Sequence, residues 1–421
     1  MYEYTLDRLR NQIIPSDNDE KRSCGIILLM KKVLHFGAGN IGRGFFGQIY
    51  YEAGWEIIFA DLAESLIHTL NKNQSYPLWI VGDHDEHLTI ERCSGISLKE
   101  REPIIQKALS ADLISTAVGA NNLKKLVPLL KDIIIRKASE DPSSTINIVI
   151  GENLLHSSFL LHGWLQENLP EKLHPYLLSQ VGLVETVLSR MVPVVPEDVK
   201  AKEPLLVMVE PYKTLPVAKK SFRGGLPEIP GFSFVENLKP YEEMKLFIHN
   251  LSHAGFAYFG KRYNRLYLWE SVKDKDTRRK VEDAFKEVRE AISKKHRISI
   301  EELNAYYQDL LLRFQNQRLG DTVARVARDP IRKLGKNDRI IGAALLCQET
   351  KGAFNAVCEI AASAIYYRDC SDPESLHLGR MLEEKGLDWI FSEVCGIDSA
   401  DPIAETIRIL TPLYSSFVKN I

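Results

Sequence analysis

Short apolar runs alternate with stretches of helical spacing from Lys31 to about Ile150. "KKVLHF" and "EIIFA" read as buried strands, with a helix of about fifteen residues between them. "ADLISTAV" and "TINIVI" are two further apolar runs, each followed by a helical pattern. Strands alternating with helices in this way imply a parallel, doubly wound sheet, so the expected fold class is α/β. Residues 205–222, "LLVMVEPYKTLPVAKKSF", are again strand-like, and "RGGLPEIPGF" then forms a Gly/Pro-rich loop. Beyond about Leu238 helical spacing dominates, with few Gly or Pro inside segments. The expected organisation is an α/β domain over residues 31–237 followed by a mainly α-helical domain over 238–421. Residues 1–30 show little periodicity and read as an N-terminal extension, with Met30, directly before the first strand, as a candidate natural start.

Within this frame "HFGAGNIGRGF" sets Gly37, Gly39 and Gly42 in G-x-G-x-x-G spacing between a strand and a helix. Gly37 permits the tight turn, Gly39 lets the backbone approach a pyrophosphate, and Gly42 allows close helix–strand packing. The first helical N–H groups then face the anion, which makes the expected domain Rossmann-like. Asp61 closes the second strand nineteen residues after Gly42. A carboxylate there accepts hydrogen bonds from ribose hydroxyls and repels a 2′-phosphate, so the expected cofactor is NAD and not NADP. The expected cofactor contacts are Val33, Phe36, Gly37, Ala38, Gly39, Asn40, Ile41, Gly42, Arg43, Gly44 and Asp61. "STAVG" ends a later strand and adds Thr116 and Val118 on the same crevice. A glycine-rich turn without a ligand is the competing reading.

"EEMKLFIHNLSHAGFAYFG" is the second informative stretch. Met244, Leu246, Phe247, Ile248, Leu251, Ala254 and Phe256 cover nearly all sides of a helix, which is therefore buried. Lys245, Asn250 and His253 nevertheless lie within it, inside an arc of roughly 140° at about 100° per residue. Burying an ammonium, an amide and an imidazole together is costly unless they are paired or serve chemistry. Desolvation lowers a lysine pKa towards neutrality, which suits a general base for an alcohol proton, with Asn and His donors around the developing alkoxide. The alternative is that Lys245 reaches solvent while Asn250 and His253 cross-link helices. His249 also falls inside the arc, so spacing alone does not select His253.

Composition narrows the remaining classes. The 421 residues are 45% hydrophobic and 26% charged, with 54 basic against 56 acidic side chains and a formal charge of −2. No basic excess points to nucleic acid or an anionic membrane. Six cysteines lie scattered with no C-x-x-C pair, neither a disulfide framework nor a zinc pattern, and no metal is expected. The apolar run Gly25–Met30 is far shorter than a membrane span. The expectation is a soluble, cytoplasmic protein, a monomer or small homo-oligomer, acting on a small molecule.

At the glycine loop and the K-x-x-x-x-N-x-x-H signature on Lys245, Asn250 and His253, the chain resembles the long-chain polyol dehydrogenases from about Met30 onward. The resemblance implies metal-independent hydride transfer between a secondary alcohol and NAD. It implies Lys245 as general base, with Asn250 and His253 binding and orienting the reacting oxygen. "GENLL" matches a strand-end segment of the family and implies Asn153 as a further oxyanion donor.

"RFQNQRLGDTVARVARDPIRKLGKNDRII" resembles members acting on mannitol phosphate and carries Arg313, Arg318, Arg325, Arg328, Arg332, Lys333, Lys336 and Arg339. A sugar or polyol phosphate needs such donors, and Arg313 with Asn316 is the expected substrate pair. Most of the others read as solvated helix faces, while Arg43 on the glycine loop is placed to touch cofactor or substrate phosphate. The chain departs from the family at Ser189-Arg190-Met191, where an acidic residue usually precedes the arginine. That departure leaves open an unphosphorylated polyol or a uronate-derived substrate. A non-catalytic NAD-binding sensor is the more distant alternative.

Overall fold

The computed structural model describes residues 30–82 and 84–415. The extension expected over residues 1–30 lies outside the described residues, Met30 excepted, and the described residues from Lys31 onward group as one compact unit. In chain order its strands are β1 (Lys32–Phe36), β2 (Glu56–Asp61), β3 (Ser75–Ile80), β4 (Glu86–Glu91), β5 (Cys93–Ser97), β6 (Leu113–Thr116), β7 (Ile146–Ile150), β8 (Val181–Glu185), β9 (Val207–Val209), β10 (Leu215–Ala218) and β11 (Phe232–Val235).

Six of these form one sheet in the order β5-β2-β1-β6-β7-β8, every pairing parallel. Counting only its own strands, this is the 3-2-1-4-5-6 order of a dinucleotide-binding sheet, whose order reverses between β1 and β6. Strand β1 shows why the runs are continuous and not alternating. Val33 packs in the core on one face and Leu34 and Phe36 in the core on the other, so both faces are covered. Strands β3, β4 and β9 make a small second sheet, and β10 pairs with β11. The 205–222 stretch supplies β9 and β10 as expected, whereas β3, β4, β5 and β8 are strands beyond those expected.

The helix between β1 and β2 differs from expectation in form. After Asn40 and Ile41 it runs as a π turn over Gly42–Phe46 and continues as an α-helix over Gly47–Glu52, with Gly47 N–H bonded to the Gly42 carbonyl. Glycine at 44 makes the wide turn compatible with close packing, since a Cβ there would stand 2.7 Å from Val207 and 2.9 Å from Val209.

From Lys239 onward the described chain is helical, around its own large apolar core. Helix Lys275–His296 is capped by Asp274, which accepts from the Thr277 N–H, and stops at Arg297 in the left-handed region. Helix Ile300–Phe314 is capped by Ser299 in the same way. The central element is Lys239–Arg262, buried on nearly every side. Its Met244–Asn250 portion is a π-helix. Bonding of residue i to i+5 sets Lys245 and Asn250, five apart, at either end of one wide turn, closer in azimuth than ordinary helical spacing predicts. No described helix is long and apolar enough to cross a membrane.

Candidate active site

Two neighbouring hollows lie along the C-terminal edge of the main sheet, where a doubly wound fold binds its ligands. The first has a volume of about 460 Å³ and is lined by Gly37, Gly39, Asp61, Ala117, Val118, Asn122 and Lys125, among others. Gly37 sits at φ 103° with its backbone against Ala117, a position closed to any side chain. A Cβ on Gly39 would meet nothing within 4 Å, so the backbone lies bare to the hollow. Asp61 accepts the Ala38 N–H at 2.6 Å and the Ala63 N–H at 2.9 Å, which pins the end of β2 to the glycine turn. A bare turn of this shape beside a carboxylate fits the pyrophosphate and adenosine ribose of NAD.

Other expected contacts belong to the scaffold. Val33 and Phe36 are wholly buried in the two sheet cores, and Gly42 packs against Gly37 and His35. Gly44 packs against β9, while Thr116 is buried at the end of β6. Asn40 and Ile41 open the helix without lining the hollow. The role expected for Arg43 is corrected. Its guanidinium is buried, donates to the carbonyls of Ala38 and Leu205, and lies over the Tyr76 ring. Those bonds clamp the glycine loop to the segment entering β9 and commit two of the three guanidinium nitrogens to the protein.

The second hollow, about 200 Å³, is lined by Glu152, Asn153, Thr186, Glu242, Lys245, Asn250, Arg332, Asn337, Asp338 and Arg339, with apolar side chains between them. Asn153 and Thr186 follow β7 and β8, Lys245 and Asn250 come from the π-helix, and the last four come from the segment after Pro330. Lys245 Nζ donates to Asn153 Oδ1 at 2.6 Å, joining residues that the chain separates by 92 positions. Burial first, and the Arg339 guanidinium second, push the Lys245 pKa down to about 8. An amine so poised exchanges protons near neutral pH. Asn250 shares the cavity with it, so Lys245, Asn153 and Asn250 are brought together.

His253 is not part of this lining. It stacks on Phe314 with ring centroids 5.0 Å apart, and its Nε2–H donates to Asp321 Oδ2 at 3.3 Å. Burial, reinforced by Arg325 and Arg339, pushes its pKa down to about 3, so the ring is neutral and this contact is a hydrogen bond, not an ion pair. His249, the other candidate in the arc, is buried beside Phe314 and lies outside the cavity as well.

The expected substrate pair is placed elsewhere. Arg313, 8% exposed, makes a bidentate bridge to Glu210, itself 1% exposed, at 2.8 and 2.6 Å. It also donates to the Ser189 carbonyl and lies over the Tyr212 ring. Asn316 donates to the Val81 carbonyl and caps the following turn. Both tie the helical region to the sheet region. Ser189, where the chain departs from the family, takes part in that junction and not in the cavity lining.

Arg332, Asn337 and Arg339 face the cavity instead. The basic stretch pointed to two of these three; nothing in spacing distinguished them from Arg313. Glu152 and Glu242 were missed, although one adjoins Asn153 and the other precedes Lys245 by one turn. The buried Glu152 carboxylate accepts the N–H groups of Val118 and Gly119 at 2.9 and 2.8 Å, so one side chain joins the wall of the first hollow to that of the second.

The geometry agrees with the comparisons. The Mannitol dehydrogenase Rossmann domain matches residues 31–231, and the Mannitol dehydrogenase C-terminal domain matches residues 237–384. The mannitol-1-phosphate 5-dehydrogenase of Thermoanaerobacter pseudethanolicus (strain ATCC 33223 / 39E) is 34% identical over 393 residues, covering 93% of this chain and 100% of that protein. The enzyme of the same name from Bacillus subtilis (strain 168) is 34% identical over 371 residues, covering 88% and 96%. Among solved structures, the Pseudomonas fluorescens mannitol 2-dehydrogenase ternary complex with NAD and D-mannitol is similar with a TM-score of 0.69 at 15% identity, covering 93% of this chain and 92% of that one. D-sorbitol dehydrogenase in substrate-free form gives 0.73 at 12% identity, covering 92% and 94%. At such identities the two structures speak for the fold alone. Sheet order, bare glycine turn and matched domains lead to one conclusion: the chain belongs to the mannitol dehydrogenase family.

Proposed function

We propose that the protein is an NAD-dependent oxidoreductase acting on the CH–OH group of a polyol phosphate, interconverting D-mannitol 1-phosphate and D-fructose 6-phosphate. The observation that carries this reading is the Lys245–Asn153 contact at 2.6 Å in a cavity beside the bare glycine turn. Two relatives that cover nearly the whole chain bear the name mannitol-1-phosphate 5-dehydrogenase, which supports the substrate.

Gly37, Gly39, Asp61 and Val118 would hold NAD, which when bound would supply the acceptor for the hydride leaving the carbinol carbon. The chain's residues manage the proton and the oxygen. Lys245 in its neutral form takes the hydroxyl proton as the C–H bond breaks and the carbonyl forms, and returns it in the reverse direction. Asn153, whose carbonyl oxygen accepts a Lys245 N–H, directs the amine lone pair into the cavity. The amide N–H groups of Asn153 and Asn250 are the donors for the oxygen as it gains negative charge. His253 acts behind them, holding the helix against Phe314 and Asp321. The step as proposed uses no metal ion.

The test is Lys245→Ala. Turnover of mannitol 1-phosphate should fall by roughly 10²- to 10⁴-fold while NAD binding, followed by fluorescence titration, persists. Turnover close to that of the parent would remove Lys245 as the base. In the parent protein, oxidation should rise with pH through about 8 as Lys245 loses its proton.

A further inference from the structure

Four cations and two carboxylates occupy the short segment from Asp329 to Arg339, and they are not used alike. The Arg339 side chain is 11% exposed and lines the catalytic cavity. Its Nε donates to Asp338 Oδ1 at 2.7 Å, and among the described residues neither terminal nitrogen has a hydrogen-bond partner. Arg332, on the same wall, donates through Nε to Asp329 at 2.6 Å and through Nη1 to Asp338 at 3.0 Å, leaving Nη2 without a partner. The Asn337 amide, between them in sequence, makes no side-chain bond among the described residues. Lys333 is buried, and its ammonium is engaged by the Arg328 carbonyl.

The outer nitrogens of Arg339 lack a protein partner yet are not sealed from solvent, so they are free to donate to an anion in the cavity. Asp338 bonds to both arginines, and both side chains line the space that Lys245 also lines. With Lys333 and Lys336 the segment carries a net charge of +2, the sign that suits an anion with several acceptor oxygens. Arg313 is committed to Glu210, Arg318 to Asp85 and Arg325 to Asp321, while Arg328 is exposed and outside the cavity lining.

We propose that Arg339, with Arg332 and Asn337, is the phosphate subsite, taking the terminal phosphate monoester of the substrate through the outer guanidinium nitrogens and the Asn337 amide. The assignment rests on the polyol phosphate reading above, and it replaces Arg313 and Asn316 as the groups that separate a phosphorylated from a free polyol.

The experiment measures kcat/KM for mannitol 1-phosphate and for free mannitol, side by side, in the parent protein, Arg339→Gln and Arg332→Gln. Arg318→Gln, outside the cavity lining and paired with Asp85, serves as the control. Preference for the phosphate ester should fall roughly 10- to 100-fold in Arg339→Gln, less in the more exposed Arg332→Gln, and not in the control. Measured above about pH 9, where Lys245 is neutral in every variant, the loss should come mainly through KM for the ester and should exceed any change in kcat/KM for free mannitol.

Inorganic phosphate should compete with the ester but not with NAD in the parent protein, a readout that does not depend on any variant folding. Equal losses on both substrates, or no loss of preference, would overturn the subsite, as would absence of competition by phosphate. A parent protein that oxidises neither compound would instead overturn the reaction reading, so the two failures are distinguishable.

Discussion

Arg313 and Arg339 lie 26 positions apart in one basic stretch and are almost equally withdrawn from water, yet they end in opposite circumstances. Arg313 meets a buried carboxylate fork-to-fork, lies over a tyrosine ring and donates to a carbonyl, so its charge is balanced within the protein. Arg339 shares one carboxylate with Arg332 and keeps its terminal nitrogens open to the cavity. Burial alone therefore says little about whether an arginine serves structure or ligand. What separates them is how many of their donors the protein itself satisfies.

The comparison can be broken most forcefully at Arg313. Arg313→Met leaves Glu210 as an unpaired buried carboxylate, and denaturant unfolding should show a loss of about 3–5 kcal/mol. The surviving folded protein should keep its preference for the phosphorylated polyol. Unchanged stability with a lost preference would exchange the roles of the two arginines.

A smaller effect sharpens the Arg339 side. Because Arg339 helps to depress the Lys245 pKa, Arg339→Gln should raise it, moving the acid limb of the kcat–pH profile for free mannitol to higher pH. A limb that stays in place would mean that burial alone sets the lysine. Smallest of all is the exposed pair of Arg318 with Asp85, whose arginine side chain is 54% exposed. Solvent screening leaves Arg318→Gln with a stability change of no more than about 1 kcal/mol, measurable by the same unfolding curves.

Legibility followed the range of the interactions. The glycine turn could be read because each glycine answers a local demand, Gly37 for its positive φ and Gly39 for bare backbone. The buried helix with Lys245 and Asn250 could be read because apolar residues surround it on all sides. Its π geometry was hidden: periodicity assumes one residue spacing, and the wider turn brings those two side chains closer than the assumed arc. Arg43 misled because adjacency to a phosphate-binding turn says nothing about direction, and its guanidinium turns to carbonyls at Ala38 and Leu205.

By itself the sequence determined a doubly wound sheet with a nucleotide turn, followed by helices that bury a lysine and an asparagine, since period and spacing express contacts made within a few residues. Only the tertiary structure decided which cations remain available. Glu210 reaches Arg313 across 103 positions and Asn153 reaches Lys245 across 92, and a charge is cancelled or left open by whichever partner the fold carries to it.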